Sequence, residues 1–325
     1  MTPGCSAIYG EEFAVHELDI HRENRERLIR AVSCLPDYVG HLRPVEASVA
    51  DLERVHNRPH IRMIEYFSSF DGIHYIDMNT YVNRGSFDTA LLAAGSSIRA
   101  AERALDGEHC FALIRPPGHH AEPDRAMGFC LFNNAAVAAA WALEQVDRVA
   151  ILDWDLHHGN GTQKIFSTSD RVLFCSVHMS NAFPGTGWTD EIGEGRGKGF
   201  TLNAPIRQGC GIDDYAFLFS GVFSEALAHF APDLLIVSAG QDPLSDDPMN
   251  GMRLTPQDFG VLTRILMEAV DQPLALVLEG GYGPSLGAAV AEIFGALHGA
   301  PVKMPRGRPR ESTVRTASQL EKVMI

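Results

Sequence analysis

The chain reads as an α/β protein with a central parallel sheet covered by helices on both faces. Three observations lead there. Five short runs of β-branched or apolar residues recur along the 325 residues, each bounded by Gly, Pro or polar turn residues. Ala-rich or amphipathic stretches of helical length lie between them. The runs are apolar throughout rather than alternating, as strands buried on both faces are.

Taken in order, the region before Phe87 is irregular and carries few strand signals. Phe87 to Leu105 is an Ala-rich helix, and Phe111–Ile114 is the first strand. Asn134 to Leu143 is a second Ala-rich helix. Strands at Val149–Leu152 and Val172–Val177 follow. Tyr215, Leu218, Phe219, Val222, Phe223, Ala226 and Leu227 repeat at the spacing of one helix face. Leu234–Val237 is the fourth strand. Thr255-Pro256-Gln257-Asp258 is a helix start, with a capping residue, Pro at the first helical position and an acid three residues on. Leu274–Leu278 is the fifth strand, and Leu286 to Leu297 a closing helix. No internal repeat is visible. Composition shifts once, at the Pro/Arg-rich stretch Met304–Arg310. Residues 1–300 are therefore expected to form one domain and 301–325 a basic surface tail.

Charge and cysteine usage narrow the function classes. Asp plus Glu number 41 against 27 Lys plus Arg, a net charge of −14. The tail carries six cations against Glu311 and Glu321, a net +4, which leaves −18 on the body. An acidic body argues against nucleic acid as the main partner and favours cationic substrates. Six scattered cysteines, with no C-x-x-C pair and no signal peptide, suggest a reducing, cytoplasmic setting. No uncharged apolar run reaches membrane-spanning length, so no membrane partner is expected. A homo-oligomer is compatible with these features.

Ligands in parallel α/β sheets bind just past the carboxyl ends of strands. All five expected strands end in polar or turn-forming clusters. They are Arg115-Pro116-Pro117-Gly118-His119-His120, Asp153 through Asn160, His178 with Phe183 to Gly187, Ser238 to Asp242, and Glu279 to Tyr282. Asp153-x-Asp155-x-His157 alternates at period two, which in an extended segment sends all three side chains to one side. A lone Asp-x-Asp-x-His also fits a turn with capping acids. Asp155 and His157, joined by Asp242 from another strand, supply two oxygens and one nitrogen. That set suits zinc with a position left open for water. His119 and His120 can share the acid–base work of amide hydrolysis, with Asp153 orienting one of them. Tyr282, after two glycines, can donate to an oxyanion. Gly128-Phe129 and Phe183 can form a narrow apolar slot for an alkyl chain.

These clusters, with Gly128 to Asn134 and Asp247-Pro248, resemble the zinc-dependent histone deacetylases. The likeness is nearer to the class II and acetylpolyamine amidohydrolase branch. It is collinear from about Tyr9 to His298 and includes His21 to Leu28 and Asn79 to Asn83. The resemblance implies an arginase-like three-layer sandwich. It implies zinc on Asp155, His157 and Asp242, His120 as general base and acid, His119 as its electrostatic partner, and Asp153 and Tyr282 in supporting and carbonyl-polarising roles. Phe129 and Phe183 would wall a tunnel with Gly128 at its neck. It further implies potassium on Asp153, Asp155, His157, Ser176 and Val177, and a second such ion near Phe166, Ser169 and Val172. Asn160 stands where many relatives have an aspartate partner for His120, so that histidine should be less basic. Gln241 precedes the zinc aspartate in place of a more frequent aromatic or small residue.

The expected activity is hydrolytic removal of acetyl or other acyl groups from lysine side chains of proteins or peptides by a metal-activated water. The alternative substrates are acetylpolyamines or other small acetylated amines, which Gly251 weakens because polyamine-selective relatives put an acid near that place. A non-catalytic acyl-lysine-binding scaffold and a two-metal ureohydrolase are the rivals from other classes.

Overall fold

The structure, a computed structural model, describes residues 4–324. Residues 1–3 and 325, the outer ends of the two expected segments, lie outside the described residues. Ten strands are formed: β1 (Cys5–Ile8), β2 (Gly40–Leu42), β3 (His74–Tyr75), β4 (Tyr81–Val82), β5 (His109–Ala112), β6 (Val149–Asp153), β7 (Val172–Met179), β8 (Thr201–Ile206), β9 (Leu234–Ala239) and β10 (Leu274–Leu278). Eight of them make one sheet in the order β2-β1-β5-β10-β9-β6-β7-β8, parallel at every pairing. β3 and β4 form a small antiparallel ribbon.

The five expected strands are the contiguous middle of this sheet. Every residue of β6, β9 and β10 is buried, which explains their continuous apolar runs. The edges were not anticipated. β2 is largely exposed, and β8 carries Pro205, a residue that sheets tolerate at an edge. The first expected strand lies two residues early, at His109–Ala112.

The helices are α1 (Glu26–Ser33), α2 (Val49–Leu52), α3 (Arg58–Ser68), α4 (Ser86–Leu105), α5 (Asn134–Ala142), α6 (Asn160–Phe166), α7 (Ile212–Leu218), α8 (Ser224–Phe230), α9 (Pro256–Ala269), α10 (Leu286–Leu297) and α11 (Glu311–Leu320). α4 packs on β5 and β10, and α5 on β6 and β9. The other layer is built on α9 and α10, which pair. α10 brings Phe294 against Phe111 of β5, and α9 brings Phe259 against Trp154 beyond β6. The result is a three-layer α/β sandwich, as the resemblance implies. α9 starts as expected, with Asp258 Oδ2 accepting from the Thr255 N–H at 2.7 Å. The single helix expected around Tyr215–Leu227 is α7 and α8 joined by a π-turn at Phe219–Phe223. Gly221 departs from helical geometry there (φ −97°, ψ −109°).

The segment expected as a surface tail contains α11, which lies along β8. Thr313, Ala317 and Leu320 are buried, and the Thr313 hydroxyl donates to Asp214 Oδ1 at 2.6 Å. Among the described residues, no helix is long and apolar enough to cross a membrane.

Candidate active site

β5, β10, β9, β6 and β7 are neighbours, so their carboxyl ends deliver the polar clusters to one place. A cavity of about 470 Å³ opens there. It is lined by His119, His120, Gly128, Phe129, Asp155, His157, Phe183, Asp242 and Tyr282, together with Arg22 and Met249. A larger cavity, about 1080 Å³, opens beside Arg25, Ile29 and His41 and holds none of the predicted site residues.

The Asp-x-Asp-x-His segment is not extended, in contrast to the sequence expectation. β6 ends at Asp153, and a curled loop follows. Asp153 Oδ1 accepts from the Asp155 N–H at 3.0 Å, and Asp155 Oδ1 from the His157 N–H at 2.9 Å. Each carboxylate thus ties down the backbone two residues on, as Asp does in turns. The turn-capping reading is thus realised, and it leaves Asp155 and His157 beside Asp242.

One ligand atom each from Asp155, His157 and Asp242 lies within 4.8 Å of the others. His157 Nδ1 is 3.2 Å from Asp155 Oδ1 and 3.0 Å from Asp242 Oδ2. Burial disfavours charge on this ring, but hydrogen bonds and attraction from the two acids outweigh it and raise its pKa to about 10. Asp242 is pushed up to about 7 by burial and by Asp155. Asp242 Oδ2 is buried without a well-formed hydrogen bond. Two buried acids, an imidazole between them and an unsatisfied oxygen fit a divalent cation.

The histidine pair faces this triad with ring centroids 4.0 Å apart. His119 Nδ1 is 2.9 Å from Asp153 Oδ2, and His120 Nδ1 is 2.8 Å from Asn160 Oδ1. Burial lowers the pKa of both rings. For His119, Asp155 and Asp153 overcome that and raise it to about 10. For His120, burial and the neighbouring His119 and His157 act together and hold it well below its usual value. A cation on the triad would offset Asp155, leaving the Asp153 bond as the persistent support of His119. Ser176 pairs with Asp153 in the β6–β7 register, and both are buried.

Gly128 (φ +58°) and Phe129 (φ +72°) are consecutive left-handed residues. A Cβ on Gly128 would lie 2.5 Å from His120 Cδ2 and 2.9 Å from Phe183 Cε1, so only glycine allows this approach. The Phe183 ring meets His120 edge-on at 4.9 Å and remains 44% exposed, which puts it at the mouth. Phe129 meets Tyr282 edge-on at 5.9 Å. Burial pushes the Tyr282 phenol well above its usual pKa, so it stays a donor.

Sequence reasoning missed the support beneath Tyr282. Arg27 lies over its ring, 4.6 Å from the centroid, and donates to the carbonyls of Gly281 (2.7 Å) and Glu279 (2.5 Å). Buried Glu23 pairs with Arg27 and Arg115. The Glu279 carboxylate accepts from the backbone N–H groups of Gly118 and His119 at 2.7 and 3.0 Å, fixing the loop before the histidine pair.

The family model described as "Histone deacetylase domain" matches residues 21–297. The "Probable deacetylase" of Archaeoglobus fulgidus is 41% identical over 290 residues, 85% of this chain and 80% of that protein. "Histone deacetylase 18" of Arabidopsis thaliana is 42% identical over 257 residues, 71% of this chain but 37% of that protein. The chain thus spans from about a third to four-fifths of the length of such relatives. The crystal structure titled "HDA15 HD domain" superposes with a TM-score of 0.93 at 33% identity, covering 99% of this chain and 94% of that one. With a family model over most of its length and an eight-stranded sheet that delivers its motifs to one cavity, the chain belongs to the histone deacetylase family.

Proposed function

We propose that the chain is a zinc-dependent deacetylase that hydrolyses the acetyl amide of lysine side chains in proteins or peptides. One observation carries this reading: at a single cavity floor, an acid–histidine set that could hold a metal faces a phenol and two histidines, one bonded to Asp153 and the other to Asn160. Zinc on Asp155, His157 and Asp242 would supply a Lewis acid that acidifies water and polarises the acetyl carbonyl.

This chain's own groups do the rest. His120 is neutral with Nδ1 bound to Asn160, which leaves Nε2 to take the proton from the attacking water. His119, whose Nδ1 is oriented and whose charged form is favoured by Asp153, stabilises the negative charge that develops on the acetyl group. The Tyr282 hydroxyl donates a hydrogen bond to that oxygen. His120 then returns its proton to the leaving amine nitrogen, and acetate departs. Gly128, Phe129 and Phe183 form the slot for the alkyl chain. Potassium on Asp153, Asp155, His157, Ser176 and Val177 belongs to the same proposal, supported by the register that sets Ser176 beside Asp153. We assign catalysis to residues 1–300, with 301–325 as an appended element. We also assign the protein to the cytoplasm, on six cysteines that are all free and of which five are buried.

Tyr282→Phe should keep the fold and one zinc per chain, and lose most turnover of an acetyl-lysine peptide. Near-full activity in that variant would overturn the role of Tyr282. Two manganese ions per chain, counted by native mass spectrometry, would point to a ureohydrolase instead.

A further inference from the structure

We infer that Arg22 forms a carboxylate subsite at the mouth of the cavity. It would favour acylated amines that carry a nearby acidic group over those that carry a second ammonium. The inference rests on the deacetylase reading above and specifies its substrate class. Arg22 lines the cavity and is exposed, and among the described residues it is the one lysine or arginine that lines it. Its guanidinium donates to Met249 Sδ at 3.4 Å and meets no carboxylate among the described residues. A thioether is a weak acceptor, so most of the guanidinium fork remains for a ligand, and a carboxylate matches that fork.

The position is also held. His21 before it makes a hydrogen bond from Nε2 to the Asn79 carbonyl at 3.0 Å, and Glu23 after it is buried against Arg115. Arg22 is therefore displayed from an anchored backbone rather than a loose loop.

The chain's net charge of −14 pulls the other way, towards cations. Range decides between them. At physiological salt, charges beyond about 8 Å are largely screened. A charge about 7 Å from Arg22 in a water-like medium feels roughly a threefold effect, of opposite sign for acid and base. The expected preference of an Asp-flanked over a Lys-flanked substrate is then about tenfold at low salt, and only roughly two- to threefold at physiological salt, where screening acts at this distance too.

The test compares kcat/KM for acetyl-lysine peptides flanked by Asp, Gly or Lys, and for acetylspermidine. Zinc-loaded wild type, Arg22→Gln and Arg22→Lys are assayed at low and high salt. Free Nε-acetyl-lysine against its carboxamide separates an α-carboxylate from an acidic side chain as the occupant. The Asp/Lys ratio should be about tenfold in wild type at low salt, survive in Arg22→Lys, collapse in Arg22→Gln and shrink at high salt. The same ratio in wild type and Arg22→Gln, or a Lys preference in wild type, overturns the inference while turnover of the Gly-flanked peptide upholds the deacetylase reading. No turnover of any acylated amine overturns that reading and the inference with it.

Discussion

Glu23 touches no substrate, yet it underpins the catalytic face. Burial opposes its charge, but Arg115 and Arg27 outweigh that and hold its carboxyl at about 2. Breaking a buried pair on one side leaves uncompensated charge, which costs roughly 3–5 kcal/mol. Glu23→Ala should lose about that much in urea denaturation and also loosen Arg27 beneath Tyr282; unchanged stability would mean that the two arginines find other partners. Asn160 offers a subtler test. Its amide oxygen partners His120, and its Nδ2 donates to Glu122 at 3.0 Å. Asn160→Asp puts a carboxylate directly against His120, which favours the charged imidazole. The base then stays protonated to higher pH, so the acidic limb of the kcat/KM profile should move to higher pH. An unmoved limb would remove His120 from the base role. That Asp153 would orient one of the two histidines was legible from its place at a strand end, whereas the pairing of His120 with Asn160 came only through the family resemblance. Arg22, Glu23 and Arg27 were not legible. His-Arg-Glu-Asn-Arg-Glu-Arg reads locally as a solvated charged face, and its burial comes from β10 and the loop after β5, far away in sequence.

At the scale of elements, legibility followed the length of the apolar run rather than burial alone, since β1 and most of β8 are buried as well. The five middle strands are sealed on both faces, so each shows as an apolar run. β1, β2 and β8 are short or lie at or near an edge, and their sequences carry no such signal. The curl after Asp153 was hidden for another reason. An alternating pattern describes a strand only while the ladder continues, and here side-chain acceptors replace the ladder at once. α11 was obscured by the Pro/Arg-rich stretch before it, although it packs along the edge strand β8. Removing residues 301–325 should uncover that edge, since an unpaired strand edge invites association. The truncated protein should bind zinc but melt lower and self-associate, as read by calorimetry and light scattering. A monomer with an unchanged melting temperature would show that α11 adds nothing to the sheet.

For the whole molecule, acid is the expected weakness, because several histidines are buried in neutral form. Burial lowers His16 and His56 to about 3, and His109 and His158 to about 4. The geometry needs the neutral ring. His56 Nε2 accepts from the Asn133 N–H at 2.8 Å, and His109 Nδ1 from the Leu274 N–H at 2.9 Å. A charged ring could not accept. Between the folded values and about 6.5, the unfolded chain binds more protons, so unfolding free energy falls as pH falls through that window. His119 has the opposite sign. Its folded pKa of about 10 adds stability that is complete below about 6.5 and lost as pH rises towards 10. The two trends meet near neutrality, where urea midpoints should peak before dropping steeply towards about pH 4. His109→Asn isolates one contributor, because the amide oxygen can still accept from Leu274 but cannot titrate. That variant should start less stable at neutral pH through lost packing, then lose less on acidification than wild type. An equal acid slope in the two proteins would show that His109 does not contribute, and a flat profile in wild type would refute the buried-histidine account as a whole.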